Sequence, residues 1–333
     1  MRILNAVIVV IASLLSASPA IAVESVGTVS APALTAVEAT ASCTYDKVNK
    51  VYKYRYTVSN GAASTGNLDA INIDMINKYS SGGWYNGYGL SNDYTAELLI
   101  PIGGNGGDKY TFAQIKKELT PLLLPPGRFL IPFGITVPNA WDGAMSRDGY
   151  ASFESRTHES EVRPGRRITG LVLTSPGVPV IREMIVVPFW VPVFPGEPDK
   201  SMAAKAGKVE RAIRVHLHTL GPEGTAALSW SALESEVSQA VNLGWIRDMP
   251  LVGKIRQALR SAARIDHDQH DNDRVIRRLR SMLTLLRASP PSSMRPEARA
   301  LIRLNAEALI RTIRNRPDGW FWPHWLGKGA GQR

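Results

Sequence analysis

The sequence has a single cysteine, Cys43, among its 333 residues. One cysteine cannot form an internal disulfide, a four-cysteine zinc site or an iron–sulfur cluster, so all three are excluded. After residue 22 no apolar run reaches the ~20 residues that a membrane-spanning helix needs. Hydrophobic residues make up 44% of the chain and charged residues 20%, which excludes global disorder and indicates a sizeable core. The length is typical of about two domains.

Sequence motifs of common catalytic sites are also missing. The sequence contains no G-x-S-x-G, no H-E-x-x-H and no phosphate-binding glycine loop in the right context. Two acid pairs remain as candidates for glycoside hydrolysis, with His158 nearby: Asp142 with Asp148, and Glu159 with Glu161. We therefore expect a non-catalytic binding or structural protein without a cofactor. A secreted glycan hydrolase and an assembly protein are the alternatives.

The first 22 residues have the order of a secretory signal peptide. Arg2 precedes an apolar run over residues 3–15, and the small-residue pattern Ala20-Ile21-Ala22 follows. Cleavage is predicted after Ala22. The alternative is an N-terminal membrane anchor, for which the apolar run is short. We expect a secreted, periplasmic or cell-surface protein with no membrane span in the mature chain, in which Cys43 is a free thiol.

Residues 45–195 have the spacing of a β domain, preceded by a leader of small residues over 23–44 that we expect to be flexible. In residues 51–58 apolar and polar residues alternate, as in a half-buried strand. This alternation places four side chains on one face: Tyr52, Tyr54, Tyr56 and Val58. Gly-, Pro- and Asn-containing turns separate further strand candidates at residues 69–76, 96–100, 129–137, 151–156, 168–175 and 181–187. A single helix is predicted at residues 111–123.

Beyond a predicted linker at residues 196–208, the period of the apolar residues becomes helical. Gly244 suits the C-terminal end of one helix, and Asp248 suits the N-cap of the next. Short connections between apolar stripes indicate an antiparallel bundle. We predict a basic helical module at residues 209–317 and an aromatic-rich tail at 318–333. The predicted fold class is segregated α+β, an N-terminal antiparallel β-sandwich followed by a C-terminal antiparallel α-helical bundle.

Part of the helical half resembles a known family. The run Leu243-Gly244-Trp245-Ile246-Arg247-Asp248 is followed by Leu251, Ile255, Leu259 and Ala262, and later by Leu279, Leu283, Pro296-Glu297-Ala298 and Leu301-Ile302. Over residues 225–315 this pattern is similar to the FIMAH-type module, a small antiparallel helical domain near the C-terminus of many exported bacterial proteins. The resemblance implies an accessory extracellular module that contributes no catalytic residues.

Positive charge is concentrated in the helical half. Residues 200–333 contain 23 Lys and Arg against 12 Asp and Glu, a net charge of +11, whereas residues 1–199 have a net charge of −1. Arginine suits planar anionic groups such as phosphate and carboxylate. Candidate anion-binding residues are Arg274, Arg277, Arg278, Arg280, Arg303, Arg311 and Arg314. The expected partner is an anionic envelope polymer or glycan, since nucleic acid fits an exported protein poorly. The alternative is a solvated surface that promotes solubility.

An acidic, histidine-containing segment spans residues 266–273. It lacks the glycine and glutamate of a calcium loop, so that site is excluded. The remaining metal candidates are Asp266, His267, Asp268 and His270, although no resident metal is expected. The alternative is a polar turn whose acids cap the next helix.

Aromatic residues form a second group of candidates. They occur in predicted Gly- and Asn-rich loops of the β domain, where flat rings can stack on sugars: Trp84, Tyr85, Tyr88 and Trp141. In the alternative interpretation these rings fill the edge of the core.

Overall fold

The computed structural model describes residues 31–76, 133–145, 149–192, 200–224, 228–268 and 271–315. Two antiparallel sheets, arranged like a sandwich, precede a region of helices, so the predicted segregated α+β class is confirmed. Two compact units divide these residues. One contains the described parts of 32–189 and 213–315, with both sheets and four helices. The other contains helix α1, Lys200–Ala212. The predicted signal peptide and aromatic tail lie outside the described residues.

The larger unit is built on nine strands in two sheets. The first sheet has the order β1-β2-β7-β4, formed by Glu38–Asp46, Val51–Ser59, Arg167–Ser175 and Gly134–Thr136. The second has the order β5-β6-β3-β8-β9, formed by Trp141–Met145, Tyr150–Ser155, Leu68–Asp74, Val178–Pro188 and Val215–Glu223. Every pair of neighbouring strands is antiparallel. Each sheet therefore turns one face toward the shared core.

Strand β2 confirms the alternation in the sequence, because its four predicted inward side chains are all buried. Burial of a tyrosine requires a partner for its hydroxyl group. Tyr54 donates to the Gly177 carbonyl at 2.7 Å and Tyr56 to the Leu220 carbonyl at 2.9 Å. The buried tyrosines of β2 thus combine apolar burial with hydrogen bonds, one to β9 of the other sheet and one to the turn before β8.

Three strands lie where the sequence predicted something else. Strand β1 occupies part of the predicted flexible leader of residues 23–44, and β5 begins at Trp141, which was predicted in a loop. Strand β9 lies inside the predicted helical module of residues 209–317. The two buried side chains of β1, Ala41 and Cys43, are small, so its apolar pattern is weak, and its pairing with β2 determines its conformation. The predicted strand at residues 96–100 and helix at residues 111–123 lie outside the described residues.

Four helices follow β9, and their ends agree with the capping residues in the sequence. They are α2 (Trp230–Asn242), α3 (Met249–Asp268), α4 (Asn272–Ala288) and α5 (Pro296–Arg314). The Asp248 carboxylate accepts a hydrogen bond from the Leu251 amide at 3.0 Å and caps α3. Gly244, with φ of 68°, follows α2 in the left-handed conformation that glycine adopts without strain.

The helices and sheets share one continuous core, so α2–α5 do not form the separate module that the sequence predicted. Polar side chains on α2 and α5 bond backbone groups of the strands. The Glu236 carboxylate accepts from the Ile181 amide at 2.7 Å, and the Asn305 amide donates to the Pro179 carbonyl at 2.6 Å. These buried bonds satisfy polar groups at the helix–sheet contact. Helix α1 occupies most of the predicted linker of residues 196–208.

Candidate functional site

Five arginines occupy the exposed side of helix α4. The opposite side is buried through Val275, Leu279, Met282 and Leu286, which recur at helical spacing. The exposed set, called here the arginine face, consists of Arg274, Arg277, Arg278, Arg280 and Arg287. The helix thus turns its apolar residues to the core and its guanidinium groups to solvent.

Few acids lie near the arginine face to neutralise it. In the described part of the chain, no ion pair within 4.0 Å involves Arg277, Arg280 or Arg287. Arg278 donates from Nε to the Ser261 hydroxyl of α3 at 3.1 Å, which joins the two helices. Residues 249–288, which include both helices, contain nine Lys and Arg against four Asp. Concentrated like charge of this kind produces a positive field that attracts anions.

The predicted anion-binding arginines of α5 have structural partners instead. Arg303 pairs with Glu307 one turn later, at 3.3 Å. Arg311 donates to the Tyr52 hydroxyl at 2.6 Å and lies over the Tyr45 ring, 4.0 Å from its centroid. The planar guanidinium stacks on the tyrosine while it donates in its own plane. Arg303 and Arg311 thus already have partners within the protein, and their assignment to an anion-binding surface stays a prediction.

Of two other arginines of α5, Arg299 is hydrogen-bonded within the protein and Arg314 is exposed. Arg299 donates to the carbonyls of Leu286, Ser289 and Pro290, and so satisfies free carbonyl groups at the C-terminus of α4. Arg314, in the last turn of α5, is exposed as the sequence analysis expected. Most arginines of α5 thus bond other groups of the protein, whereas the arginines of α4 are exposed to solvent.

The described residues of the acidic segment belong to helices α3 and α4, apart from Asp271, which precedes α4. Asp266 is buried and accepts from the Trp230 indole nitrogen at 3.0 Å, while His267 Nδ1 lies 2.7 Å from Asp268 Oδ1. Asp271 caps α4 by accepting from the Arg274 amide at 2.8 Å, which agrees with the capping interpretation. Within the described residues no three His, Cys, Asp or Glu side chains group together in a way that suits a metal ion. His270 lies outside those residues.

Trp141 does not present its ring to solvent. It is the first residue of β5, is 3% exposed, and donates from its indole nitrogen to the Ser160 carbonyl at 3.0 Å. The buried ring agrees with the alternative in which it fills the edge of the core, and a role in ligand stacking stays a prediction. Trp84, Tyr85 and Tyr88 lie outside the described residues.

A cleft of about 470 Å³ opens at one end of the β-sandwich, beside the acid pair Glu159 and Glu161. Three segments form its walls, at residues 138–141, 159–163 and 166–169. The Glu161 side chain is 1% exposed and both its oxygens are used: Asn67 donates to Oε2 at 2.9 Å, and His158 Nδ1 lies 2.7 Å from Oε1. Glu161 is thus a structural acid and not a free partner for Glu159.

The other acid pair gives no catalytic geometry in the described residues. Asp142 accepts from Arg156 at 2.7 Å and forms an ion pair with it, and Asp148 lies outside the described residues. Raised pKa values occur instead at Asp69 and Glu154, which the sequence analysis did not select. Burial is the main cause for both carboxyls, and the negative charges of Asp69 and Asp142 further raise the pKa of Glu154. Neither residue lines the cleft.

The cleft contains arginines that the sequence analysis also missed. Arg163, Arg166 and Arg167 all line it and are exposed. The signal for them in the sequence is the run Arg163-Pro164-Gly165-Arg166-Arg167, which places three arginines around one turn. The near-neutral net charge of residues 1–199 concealed this local excess of positive charge.

Cys43 lies on β1 and is 3% exposed. Burial raises the pKa of its thiol above the ordinary value, so the reactive thiolate is disfavoured. A buried, protonated thiol does not supply the crosslink that the assembly alternative would use. No helix among the described residues is both long and apolar enough to traverse a bilayer. Neither a scan of protein-family models nor a search of curated proteins finds a match to this chain, and the resemblance to the FIMAH-type module stays a prediction.

Proposed function

We propose that this chain is an exported, non-catalytic binding protein whose arginine face contacts anionic polymers of the cell envelope. The observation that carries the proposal is the exposed row of arginines on α4, three of which have no ion pair in the described part of the chain. Export rests on the signal-like order of residues 1–22. The similarity to FIMAH-type modules, which implies an accessory role, supports the same class of function.

Spacing along α4 supports a polymer rather than a single small anion. Arg277, Arg280 and Arg287 recur at intervals of three and seven residues, so they lie along one side of the helix over about three turns. A row of this length can engage several charges of a chain-like ligand at once. Acidic glycans, teichoic acid and lipopolysaccharide all carry such repeated anionic groups. Exposed arginines attract them through a field that salt screens.

Replacing Arg277, Arg280 and Arg287 together by glutamine should weaken binding of the full chain to heparin, used as a model acidic glycan, by about 100-fold. The estimate takes about 1 kcal/mol for each arginine held near a densely anionic surface. Fluorescence anisotropy with labelled heparin measures the effect, and the affinity of the unmodified chain should fall steeply as NaCl is added.

A matched control removes three exposed cations from the β1–β2 hairpin instead, with Lys47, Lys50 and Arg55 replaced by glutamine. This variant has the same net charge as the first, so a general charge effect would weaken both equally. We expect heparin binding of the control to stay within a few-fold of the unmodified chain. Equal losses in the two variants, or no salt-sensitive heparin binding by the unmodified chain, would contradict the proposal.

The hydrolase alternative has less support. Glu161 is enclosed by Asn67 and His158, and Asp142 is paired with Arg156. A glycosidase needs a proton donor and a second carboxylate that both face the substrate. The described carboxylates of the cleft do not provide that pair, which favours binding over catalysis.

A further inference from the structure

We propose that the cleft at the end of the β-sandwich is a second binding site, which takes a small molecule carrying a carboxylate or sulfate group. This site uses none of the residues of the arginine face and goes beyond the function proposed above. Its volume of about 470 Å³ lies within the range of about 300–1,000 Å³ that is typical of small-molecule sites. Three arginines line this one space.

The first wall is a tight turn held in place by hydrogen bonds. The Trp141 amide donates to the Pro138 carbonyl at 3.2 Å, and the Arg156 amide donates to the Ala140 carbonyl at 2.9 Å. Ala140 has φ of 66°, a left-handed conformation that is strained for a residue with a Cβ atom. Such strain persists where the surrounding structure enforces it, and it occurs often at ligand sites.

The second wall presents the arginines from a turn whose conformation is equally constrained. The Arg166 amide donates to the Arg163 carbonyl at 3.0 Å, across Pro164 and Gly165. Gly165 has φ of 74°, which the third position of a type II turn requires. Asn60 clamps the same turn, since its amide donates to the Arg166 carbonyl and its carbonyl accepts from the Gly165 amide, both at 2.9 Å. The backbone that carries Arg163 and Arg166 is therefore pre-organised.

The third wall is the start of β7, where the strand carries a bulge. The register with β2 shifts between Tyr56 and Val58, and Gly170 has φ of 82° at this point. Bulges redirect side chains and are frequent beside binding sites. Arg167 and Thr169 line the cleft on this segment.

The charges of the cleft leave the arginines available for an external anion. In the described residues none of Arg163, Arg166 and Arg167 has an ion pair within 4.0 Å. Glu161 is bonded to Asn67 and His158, so Glu159 is the exposed acid among the lining residues. A guanidinium group donates two parallel hydrogen bonds to a carboxylate or sulfate, which gives geometric selectivity as well as affinity.

Glucuronate and glucose provide the test, because they share a pyranose ring and differ in one carboxylate. Titration calorimetry on the full chain should detect glucuronate and glucose 6-sulfate binding with dissociation constants of about 1 mM or tighter, and no comparable binding of glucose. Replacing Arg163, Arg166 or Arg167 by glutamine should weaken glucuronate binding at least tenfold for each substitution. This is the range for loss of a charge-assisted hydrogen bond.

Arg55→Gln is the matched control, since Arg55 is an exposed arginine of β2 that bonds Thr44 and lies outside the cleft. We expect this variant to bind glucuronate like the unmodified chain. Equal binding of glucose and glucuronate, absence of binding by both anionic sugars, or the same loss in Arg55→Gln would overturn the proposal. The Arg277, Arg280 and Arg287 variant should retain glucuronate binding, so failure at the cleft is distinguishable from failure at the arginine face.

Discussion

Replacing Glu223 by alanine should lower the free energy of unfolding by about 3–5 kcal/mol, because it would leave a buried arginine without its closest carboxylate. Arg182 lies in β8 with 0% of its surface exposed, and its Nη2 atom is 3.0 Å from Glu223 Oε2. It also donates to the carbonyls of Pro222 and Ile76. Its next carboxylate, Asp74, is 3.6 Å away and does not replace Glu223.

Urea-induced unfolding followed by circular dichroism measures this loss. The matched control is Glu307→Ala, which breaks the partly exposed pair between Arg303 and Glu307 on α5. Pairs of that kind contribute only about 0.3–0.5 kcal/mol on a helix surface, so the control should be nearly neutral. If Glu223→Ala cost no more than the control, the buried pair would not stabilise this fold.

Replacing Leu301 by alanine should destabilise the protein by about 2–5 kcal/mol and loosen the sheets together with the helices. Leu301 on α5 is fully buried in the core that the two regions share. The same helix reaches the sheet through Glu297, which accepts from the Ala41 amide at 3.2 Å. A cavity beneath α5 therefore acts on both regions at once.

Hydrogen exchange with mass spectrometry measures protection of β2 and α3 separately. In Leu301→Ala both elements should lose protection by similar factors, as expected for one cooperative unit. Thr312→Ala, at an exposed position of the same helix, should leave both nearly unchanged. Loss of protection in α3 with β2 unaffected would mean that the helices unfold as an independent domain.

The regular elements with strong patterns could be predicted from the sequence, because local physics dominates there. Alternation in β2 requires one face to be buried, and the spacing of Val275, Leu279, Met282 and Leu286 requires a helix with one apolar side. The start of α3 could likewise be predicted from Asp248, because few residue types accept hydrogen bonds from the free amides at a helix N-terminus. Strand β1 could not be predicted in this way, because its two buried side chains, Ala41 and Cys43, have little strand preference and pairing with β2 determines its conformation.

The roles of charged residues could not be predicted in the same way. Arg278 and Arg311 are the same residue type on neighbouring helices, yet one is exposed and the other stacks on Tyr45. Each contributes one positive charge to the composition, and only the packing of each helix against the sheets decides which of the two side chains is exposed. The cleft was hidden for a related reason, since its walls come from three separate segments of residues 138–169.

Sequence by itself determined that most strands precede the helices, which faces of the main elements are buried, and that positive charge is concentrated after residue 200. Only the tertiary structure decided that the helices share a core with the sheets, and which arginines remain open to a ligand. Periodicity is a property of neighbouring residues and survives in the unfolded chain. Burial, ion pairing and clefts depend on residues that are distant in sequence, such as Arg182 with Glu223, and exist only after the chain has packed.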